Sequence, residues 1–232
     1  MDWAILNQEG LMFLLRWTHL LFGIAWIGML WYFNFAQGAF MAGVDATVKT
    51  AVNQKLAPTT LWYFRWGAMG TFLTGWTMIS LRASQPGGLE LLATSWGVNI
   101  LTGALLASLM WFNVWFVIWP RQKKVLAAAN GEKVENLPAL ARRAFLASRT
   151  NTMLSITALF YMAAASHLTI AVDASKIMLW FGILAVLLGL IEINALTGDK
   201  GPTKAPIEKV VGVIHMGLLL TVILYVMQEV LL

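Results

Sequence analysis

Six long apolar stretches dominate the sequence and constrain its fold more than any other feature. A helix needs about 20 mostly apolar residues to cross a bilayer, and each stretch reaches that length. They cover residues 11–36, 60–81, 96–119, 150–172, 175–197 and 207–230. Breaks rich in Gly, Pro and Asn separate several of them, and no gap is long enough for a soluble domain. The sequence therefore predicts one integral-membrane domain over residues 1–232, an all-α polytopic transmembrane helical bundle with six spans.

Composition agrees with a membrane protein and excludes several kinds of site. Only 12% of the residues are charged, whereas a soluble domain carries roughly 25%. The chain has no cysteine, which excludes disulfides, thiolate metal sites, iron–sulfur clusters and covalently attached c-type haem. The formal net charge of +5 does not indicate nucleic-acid binding, because the basic residues lie between apolar stretches rather than on one soluble face.

The distribution of Lys and Arg predicts the orientation in the membrane. The segments 37–57, 121–149 and 198–209 hold twelve basic residues and fall on one side of the alternating spans. The other side holds only Arg82 and Lys176. Because basic loops stay in the cytoplasm, we expect 121–149 to be a cytoplasmic loop and both termini to be periplasmic, in a bacterial inner membrane. The basic loop could also bind anionic lipid, although its role in orientation is the simpler explanation.

All three histidines, His19, His167 and His215, lie within the predicted spans. Ionisable groups inside a membrane are costly and are therefore candidates for function. With a rise of about 1.5 Å per residue, His19 lies roughly 12 Å and His167 roughly 8 Å from the periplasmic ends of their spans, and His215 roughly 22 Å. Two imidazoles at one depth on different helices suit the axial positions of one b-type haem. We expect His19 and His167 to be these ligands, with His215 as an alternative ligand or a proton donor.

Small residues beside the histidines predict space for a porphyrin. Ala163 and Ala164 precede His167 by four and three residues on the same helix face, and Gly23 follows His19 by four. Arg16 lies one turn from His19 on the periplasmic side, where a guanidinium could pair with a haem propionate.

Two other interpretations of these residues stay open. Small residues are common at membrane helix contacts, and a histidine can simply donate a hydrogen bond across helices. Three imidazoles could instead bind zinc or copper. Two further intramembrane charges, Arg65 and Glu192, are expected either to pair with each other or to line a proton or quinone path.

Four sequence motifs, taken together, resemble the membrane domain of the bacterial cytochrome c-dependent urate oxidase (urate hydroxylase) family. They are WTHLLFGIAWIGMLWYFNFAQ at 17–37, LWYFRWGAMGTFLTGW at 61–76, MWFNVWFVIWPRQKKVL at 110–126 and ASRTNTMLSITALFYMAAASH at 147–167. The resemblance spans residues 11–167 and continues weakly to the end. Enzymes of this family carry a C-terminal cytochrome c with a CxxCH site, which these 232 residues do not contain. The resemblance therefore implies membrane redox chemistry with a separate electron acceptor.

Three function hypotheses follow from the sequence. The first is a b-type haem electron-transfer protein that works between a quinone or substrate and a periplasmic acceptor such as a cytochrome c. The second is an oxidoreductase, a urate or purine oxidase that uses an external cytochrome c. The third is a non-catalytic accessory subunit of a larger membrane complex or a homo-oligomer, with structural or copper- or zinc-binding histidines.

The charge asymmetry generates a topology prediction. A reporter fused after residue 130 should be active in the cytoplasm, and a reporter fused to the C-terminus should be active in the periplasm, because basic segments are retained inside. Paired fusions of alkaline phosphatase and green fluorescent protein at both positions measure this. The opposite pattern would place the histidine-rich end of the bundle in the cytoplasm.

Overall fold

The computed structural model describes residues 3–232, and within these residues the chain is helical with no strand. Six long helices account for most of it. They are α1 (Gln8–Gly43), α2 (Ala57–Ala83), α3 (Ser95–Ala129), α4 (Leu137–His167), α5 (Ile177–Leu196) and α6 (Val210–Leu231). Shorter helical segments lie at Ala4–Leu6, Ala46–Ala51, Val52–Leu56, Gly88–Leu92, Ala174–Lys176 and Ala205–Glu208.

Contacts between neighbouring helices fix their directions. Helices α1, α3 and α5 run one way, and α2, α4 and α6 run the other. Antiparallel neighbours are shown by Phe33–Phe64 and His19–Thr74 between α1 and α2, and by Trp66–Trp115 and Trp76–Ser108 between α2 and α3. Gly103–Met162 and Asn113–Asn151 show the same for α3 and α4. Parallel neighbours are shown by Trp180–Thr102 and Glu192–Asn113 between α5 and α3, and by Gly217–Met153 and Thr221–Thr157 between α6 and α4.

The bundle therefore has two distinct ends. At the terminal end, α1, α3 and α5 begin and α2, α4 and α6 finish, and the backbone N–H of Asp173 bonds to the carbonyl of Leu232 at 2.7 Å. At the basic end lie the segments 37–57, 121–149 and 198–209, which hold most of the Lys and Arg. The two ends carry different cavities, which are described below.

Helix α4 is the central element of the bundle. Its buried polar side chains include Arg149, Thr150, Asn151, Thr152, Ser155 and Thr157. They bond to neighbouring helices: Ser155 accepts from the indole N–H of Trp31 at 2.9 Å, and Asn151 donates to the Met110 carbonyl at 2.8 Å. Such hydrogen bonds hold helices together where apolar contact alone gives no preference between protein and lipid.

Four helices are long and apolar enough to cross a membrane: Gln8–Gly43, Ser95–Ala129, Ala174–Leu196 and Val210–Leu231. Helices α2 and α4 have 27 and 31 residues and are also long enough. Helix α4 is less apolar because it carries many polar residues. These residues face the interior of the bundle rather than its outer surface. Large apolar side chains such as Ile24, Met178 and Val230 are exposed on that outer surface, which fits contact with lipid.

Several helix boundaries differ from those predicted. The predicted loop 121–149 is helical except around 130–136, because α3 continues to Ala129 and α4 begins at Leu137. Helix α3 passes through Pro120 because a π-helical turn, Asn113–Ile118, precedes it and the N–H of Trp119 bonds to the carbonyl of Val114, five residues back. This wider turn relieves the clash that proline makes with a regular helix.

Close approach of α1 and α2 depends on a glycine. A Cβ atom at Gly67 would lie 2.9 Å from the backbone nitrogen of Trp26 and 3.1 Å from the carbonyl oxygen of Phe22. Both neighbours are helix backbone and cannot move independently. The helices can therefore pack this closely only because position 67 has no side chain.

This contact generates a stability prediction. Gly67→Ala should lower the melting temperature in mild detergent, because overpacking of this kind costs about 1–3 kcal/mol. The control is Gly28→Ala, where nothing lies within 4 Å of the new Cβ. It should leave the melting temperature unchanged or raise it, since alanine favours the helix by roughly 0.5–1 kcal/mol. Equal shifts for the two variants would show that helix propensity, not packing, sets the value at position 67.

Candidate functional site

The terminal end of the bundle contains a cavity of about 400 Å³ between α1, α2, α3 and α4. Four of the residues predicted from the sequence line it: Arg16, His19, Ala163 and His167. None of the lining residues is acidic. The two histidines therefore share one space, although they are far apart in the sequence and come from helices that run in opposite directions.

His19 is held by α2 through a hydrogen bond. Its Nδ1 lies 3.0 Å from Oγ1 of Thr74. The hydroxyl hydrogen of Thr74 has an acceptor in the Gly70 carbonyl at 2.6 Å, so the Thr74 oxygen is placed to accept from Nδ1 of His19. A neutral imidazole with its hydrogen on Nδ1 has a free Nε2 lone pair, and this is the form that binds a metal.

Gly75 provides the surface on which the His19 ring lies. A Cβ at this position would be 3.0 Å from Cε1 and 3.4 Å from Nδ1 of His19. A larger residue would push the ring away from Thr74. Two adjacent residues of α2 thus have separate roles: Thr74 is the hydrogen-bond partner of His19, and Gly75 is the surface against which its ring packs.

His167 is the last residue of α4, whereas the sequence predicted a span that continues to residue 172. The chain beyond it is held at the terminal end, because the N–H of Ile170 bonds to Oγ of Ser95 at 3.0 Å and the Asn99 amide donates to the carbonyl of Leu168 at 3.3 Å. The helix end is therefore anchored to α3, and His167 lies at the rim of the cavity.

The two histidines lie within about 6 Å of each other in height along the bundle. The hydrogen bond from Trp31 to Ser155 joins the antiparallel helices α1 and α4, and His19 and His167 are each twelve residues from it towards the terminal end. The bond from Asn34 to Ser148 is fifteen residues from His19 and nineteen from His167, which places His167 about 6 Å nearer the terminal end.

The small residues near the histidines have different surroundings. Ala163 lines the cavity, but Ala164 is buried inside the bundle and does not. Gly23 lies at the contact with α2, where its Cβ would be 4.0 Å from Oγ1 of Thr71. Of the three, only Ala163 provides space in the cavity itself.

Arginines from two helices line the cavity. Arg16 is one turn of α1 from His19 towards the terminal end, and Arg82 is in the last turn of α2. The sequence analysis identified Arg16 but counted Arg82 only for topology. It also missed Thr74 and Gly75, because nothing in one sequence shows which face of α2 lies against His19.

His215 is remote from this cavity. Its neighbours on α6, Gly217 and Thr221, contact Met153 and Thr157 of α4. The level of His215 therefore corresponds to about residue 151 of α4, roughly 24 Å below His167 by helical rise. Its side chain is exposed on the outer surface.

A site of three imidazoles is accordingly not formed. Among residues 3–232 no group of three His, Asp or Glu side chains could hold a metal ion. The cavity does contain the thioethers of Met12, Met78 and Met162. These thioethers and the two imidazoles are the soft donors that line the cavity, and such donors favour copper over zinc.

Of the two expectations for Arg65 and Glu192, a direct ion pair is wrong, whereas a proton or quinone path stays a prediction. The Arg65 guanidinium stacks 3.8 Å from the ring centre of Trp119. Glu192 instead accepts from the amide of Asn113 at 2.9 Å, and Asn113 also donates to Asn151 at 3.0 Å. Arginine stacks readily on aromatic faces, so Arg65 needs no carboxylate at this position.

Comparison with known proteins identifies the family. The model of the family described as "Urate oxidase N-terminal" matches residues 89–226, which is more than half of the chain. No curated protein and no solved structure matches the chain. The match contains His167 and His215, whereas Arg16, His19 and Gly23 precede it. It is thus centred further towards the C-terminus than the motifs suggested. The chain belongs to the urate oxidase N-terminal family.

Proposed function

We propose that this protein binds one b-type haem in the terminal-end cavity, with His19 and His167 as axial ligands, and serves in membrane electron transfer. The observation that carries the proposal is that imidazoles from α1 and α4 line the same cavity. Structural histidines that only join helices would not need an adjoining cavity of about 400 Å³, a size within the range of ligand sites.

The residues present fit this group. With its hydrogen on Nδ1, a neutral His19 has Nε2 free to bind iron. The walls include apolar and aromatic side chains such as Phe72 and Trp96, and the rim carries Arg16 and Arg82. The two guanidiniums equal the two propionates of a b-type haem in number and are opposite to them in charge. When bound, the haem supplies an iron that is oxidised and reduced by one electron.

The residues of the chain would bind the haem and orient the imidazole that holds it. Thr74 accepts from Nδ1 of His19 and sets the plane and basicity of the imidazole. Arg16 and Arg82 would hold the propionates of the haem. Ile79, Leu20 and the aromatic side chains limit the access of water, which lowers the local dielectric constant around the ligand.

The proposal includes the orientation of the bundle. We infer six spans in the bacterial inner membrane with both termini periplasmic, from the 12-to-2 distribution of basic residues. The terminal-end cavity would then open near the periplasmic surface. A periplasmic cytochrome c would meet the protein there, and a quinone would reach it from the bilayer.

A second candidate function is the oxidation of urate or a related purine with a separate cytochrome c as acceptor. Membership of the urate oxidase N-terminal family favours it. The two candidates share the haem site and differ only in the source of electrons. Reduction of the purified protein by urate would select the second candidate, and reduction by a quinol but not by urate would select the first.

The haem site is tested by absorption spectra of histidine variants purified in mild detergent. Wild-type protein should show a Soret band and a sharp α band after reduction. His19→Ala and His167→Ala should each abolish the low-spin spectrum, whereas His215→Ala should retain full haem content because its side chain lies on the outer surface. Haem loss in His215→Ala but not in His167→Ala would overturn the assignment. Stoichiometric copper without haem bands would favour the metal-site alternative.

The hydrogen bond to His19 generates a further prediction. Thr74→Val keeps the shape of the side chain but removes the acceptor for Nδ1, so haem affinity should fall by roughly 10–100-fold, the usual effect of losing such a partner. Titration of apoprotein with hemin measures this. Thr77→Val is the matched control, since Thr77 is exposed on the same helix. Equal affinity in Thr74→Val and wild type would show that the imidazole is oriented by packing alone.

A further inference from the structure

The basic end of the bundle contains a second cavity, of about 230 Å³, whose polar lining is unusual for the interior of a helical bundle. It lies between α1, the segment that leads into α2, α2 itself, α3 and α4. Its polar lining residues are Asn34, Gln37, Asn53, Gln122, Ser148 and Arg149. The volume is several times the roughly 30 Å³ that one water occupies. This cavity can therefore hold more than an isolated water molecule.

Arg149 is the only charged residue that lines this cavity. It is 7% exposed. Its Nη1 donates to the carbonyl of Asn34 at 3.3 Å, but its Nε is buried without a partner, and no protein acceptor bonds to Nη2 in residues 3–232. The Nε–Nη2 edge of a guanidinium is a two-donor fork that fits two oxygens of one oxyanion.

Two acidic residues at the basic end, Glu208 and Asp199, are engaged by other arginines. Glu208 accepts from Arg142, whose hydrogen bond holds the pKa of that carboxyl below its ordinary value. Asp199 accepts from Arg143 at 3.1 Å. Within the described residues no carboxylate lies within 4 Å of the Arg149 guanidinium. The ring of Phe145, whose centre is 5.0 Å from Cζ of Arg149, compensates the charge only in part, because it supplies no acceptor for the buried Nε. A buried charge without a counter-ion is unfavourable, so the protein alone leaves this site electrostatically incomplete.

The amides around Arg149 add a second requirement. Oε1 of Gln37 is buried and has no hydrogen-bond partner. Both Asn34 and Gln37 belong to the π-helical turn Tyr32–Gln37 of α1, and π-turns often occur at functional sites. A ligand that satisfies this cavity therefore has an oxyanion for Arg149 and a hydroxyl donor for Gln37. Aromatic residues on the walls, Phe33 and Phe64, favour an apolar substituent as well.

We propose that this cavity is a binding site for a phosphate-class anion, held by Arg149 and completed by Gln37. A phosphate group provides the paired oxygens, and a hydrogen phosphate or the glycerol of phosphatidylglycerol provides the hydroxyl. The ligand is therefore either the headgroup of an anionic phospholipid or a free phosphate. This site does not depend on the haem proposal, because it lies at the opposite end of the bundle and shares no residue with the terminal-end cavity.

The test uses the full chain purified in mild detergent and depleted of lipid. The melting temperature is followed by tryptophan fluorescence during titration with inorganic phosphate, with sodium chloride at equal ionic strength as the control. In a second arm, native mass spectrometry measures the retention of phosphatidylglycerol against diacylglycerol, which has the same chains but no phosphate. A specific response in the first arm identifies free phosphate, and one in the second identifies lipid. No preference in either arm would overturn the proposal.

Variants assign the site. Arg149→Met should reduce the affinity for whichever probe binds by at least tenfold, and Gln37→Leu should reduce it less, because the charge remains. Arg121→Met is the matched control, since Arg121 is also at the basic end but bonds to the carbonyl of Val117 and does not line the cavity. The readout is the ligand-dependent shift, so a change in the stability of the empty protein does not affect it. Unchanged binding in Arg149→Met would overturn the proposal.

Discussion

Buried polar groups of α4 hold this bundle together and determine where its cavities lie. Lipid cannot satisfy a hydrogen bond, so a polar side chain inside the bundle needs a partner either in the preceding turn of its own helix or on another helix. Ser155 meets Trp31, Asn151 meets Asn113 and Thr157 meets Thr221, which joins α4 to α1, α3 and α6. These bonds fix the height of each neighbouring helix relative to α4. The heights of His19 and His167 relative to each other are a consequence of this register rather than of any direct contact between the two.

The sequence alone predicts the features that follow from the lengths of the apolar stretches and from the positions of the few histidines. Apolar stretches predicted the long helices, and helical rise predicted that His19 and His167 lie nearer in height to each other than to His215. Partners on α2 were not predictable, because Thr74 and Gly75 are ordinary residues until α1 is placed against them. The predicted end of a helix at Pro120 is wrong, because the preceding π-turn lets α3 continue through the proline.

The family match covers only one wall of the terminal-end cavity. Residues 89–226 include α4 with His167 and Ala163, whereas Arg16 and His19 lie on α1, outside the matched range. Neither half forms a closed cavity alone, because α1 and α2 supply one wall and α3 and α4 the other. A ligand bound between them would thus also stabilise the packing of the first two helices on the matched region, through the usual linkage of binding to folding.

The two cavities follow the same electrostatic logic at opposite ends of the molecule. Each is lined by arginine and by no acidic residue. Arg16 and Arg82 at the terminal end are exposed, so water screens them while the cavity is empty and they can meet the carboxylates of a ligand at little cost. Arg149 is buried, so only a group bound in the cavity can complete the hydrogen bonds of its Nε. The terminal-end site is therefore suited to a cofactor or substrate whose charged groups remain at the surface, and the basic-end site to an anion that becomes part of the folded structure.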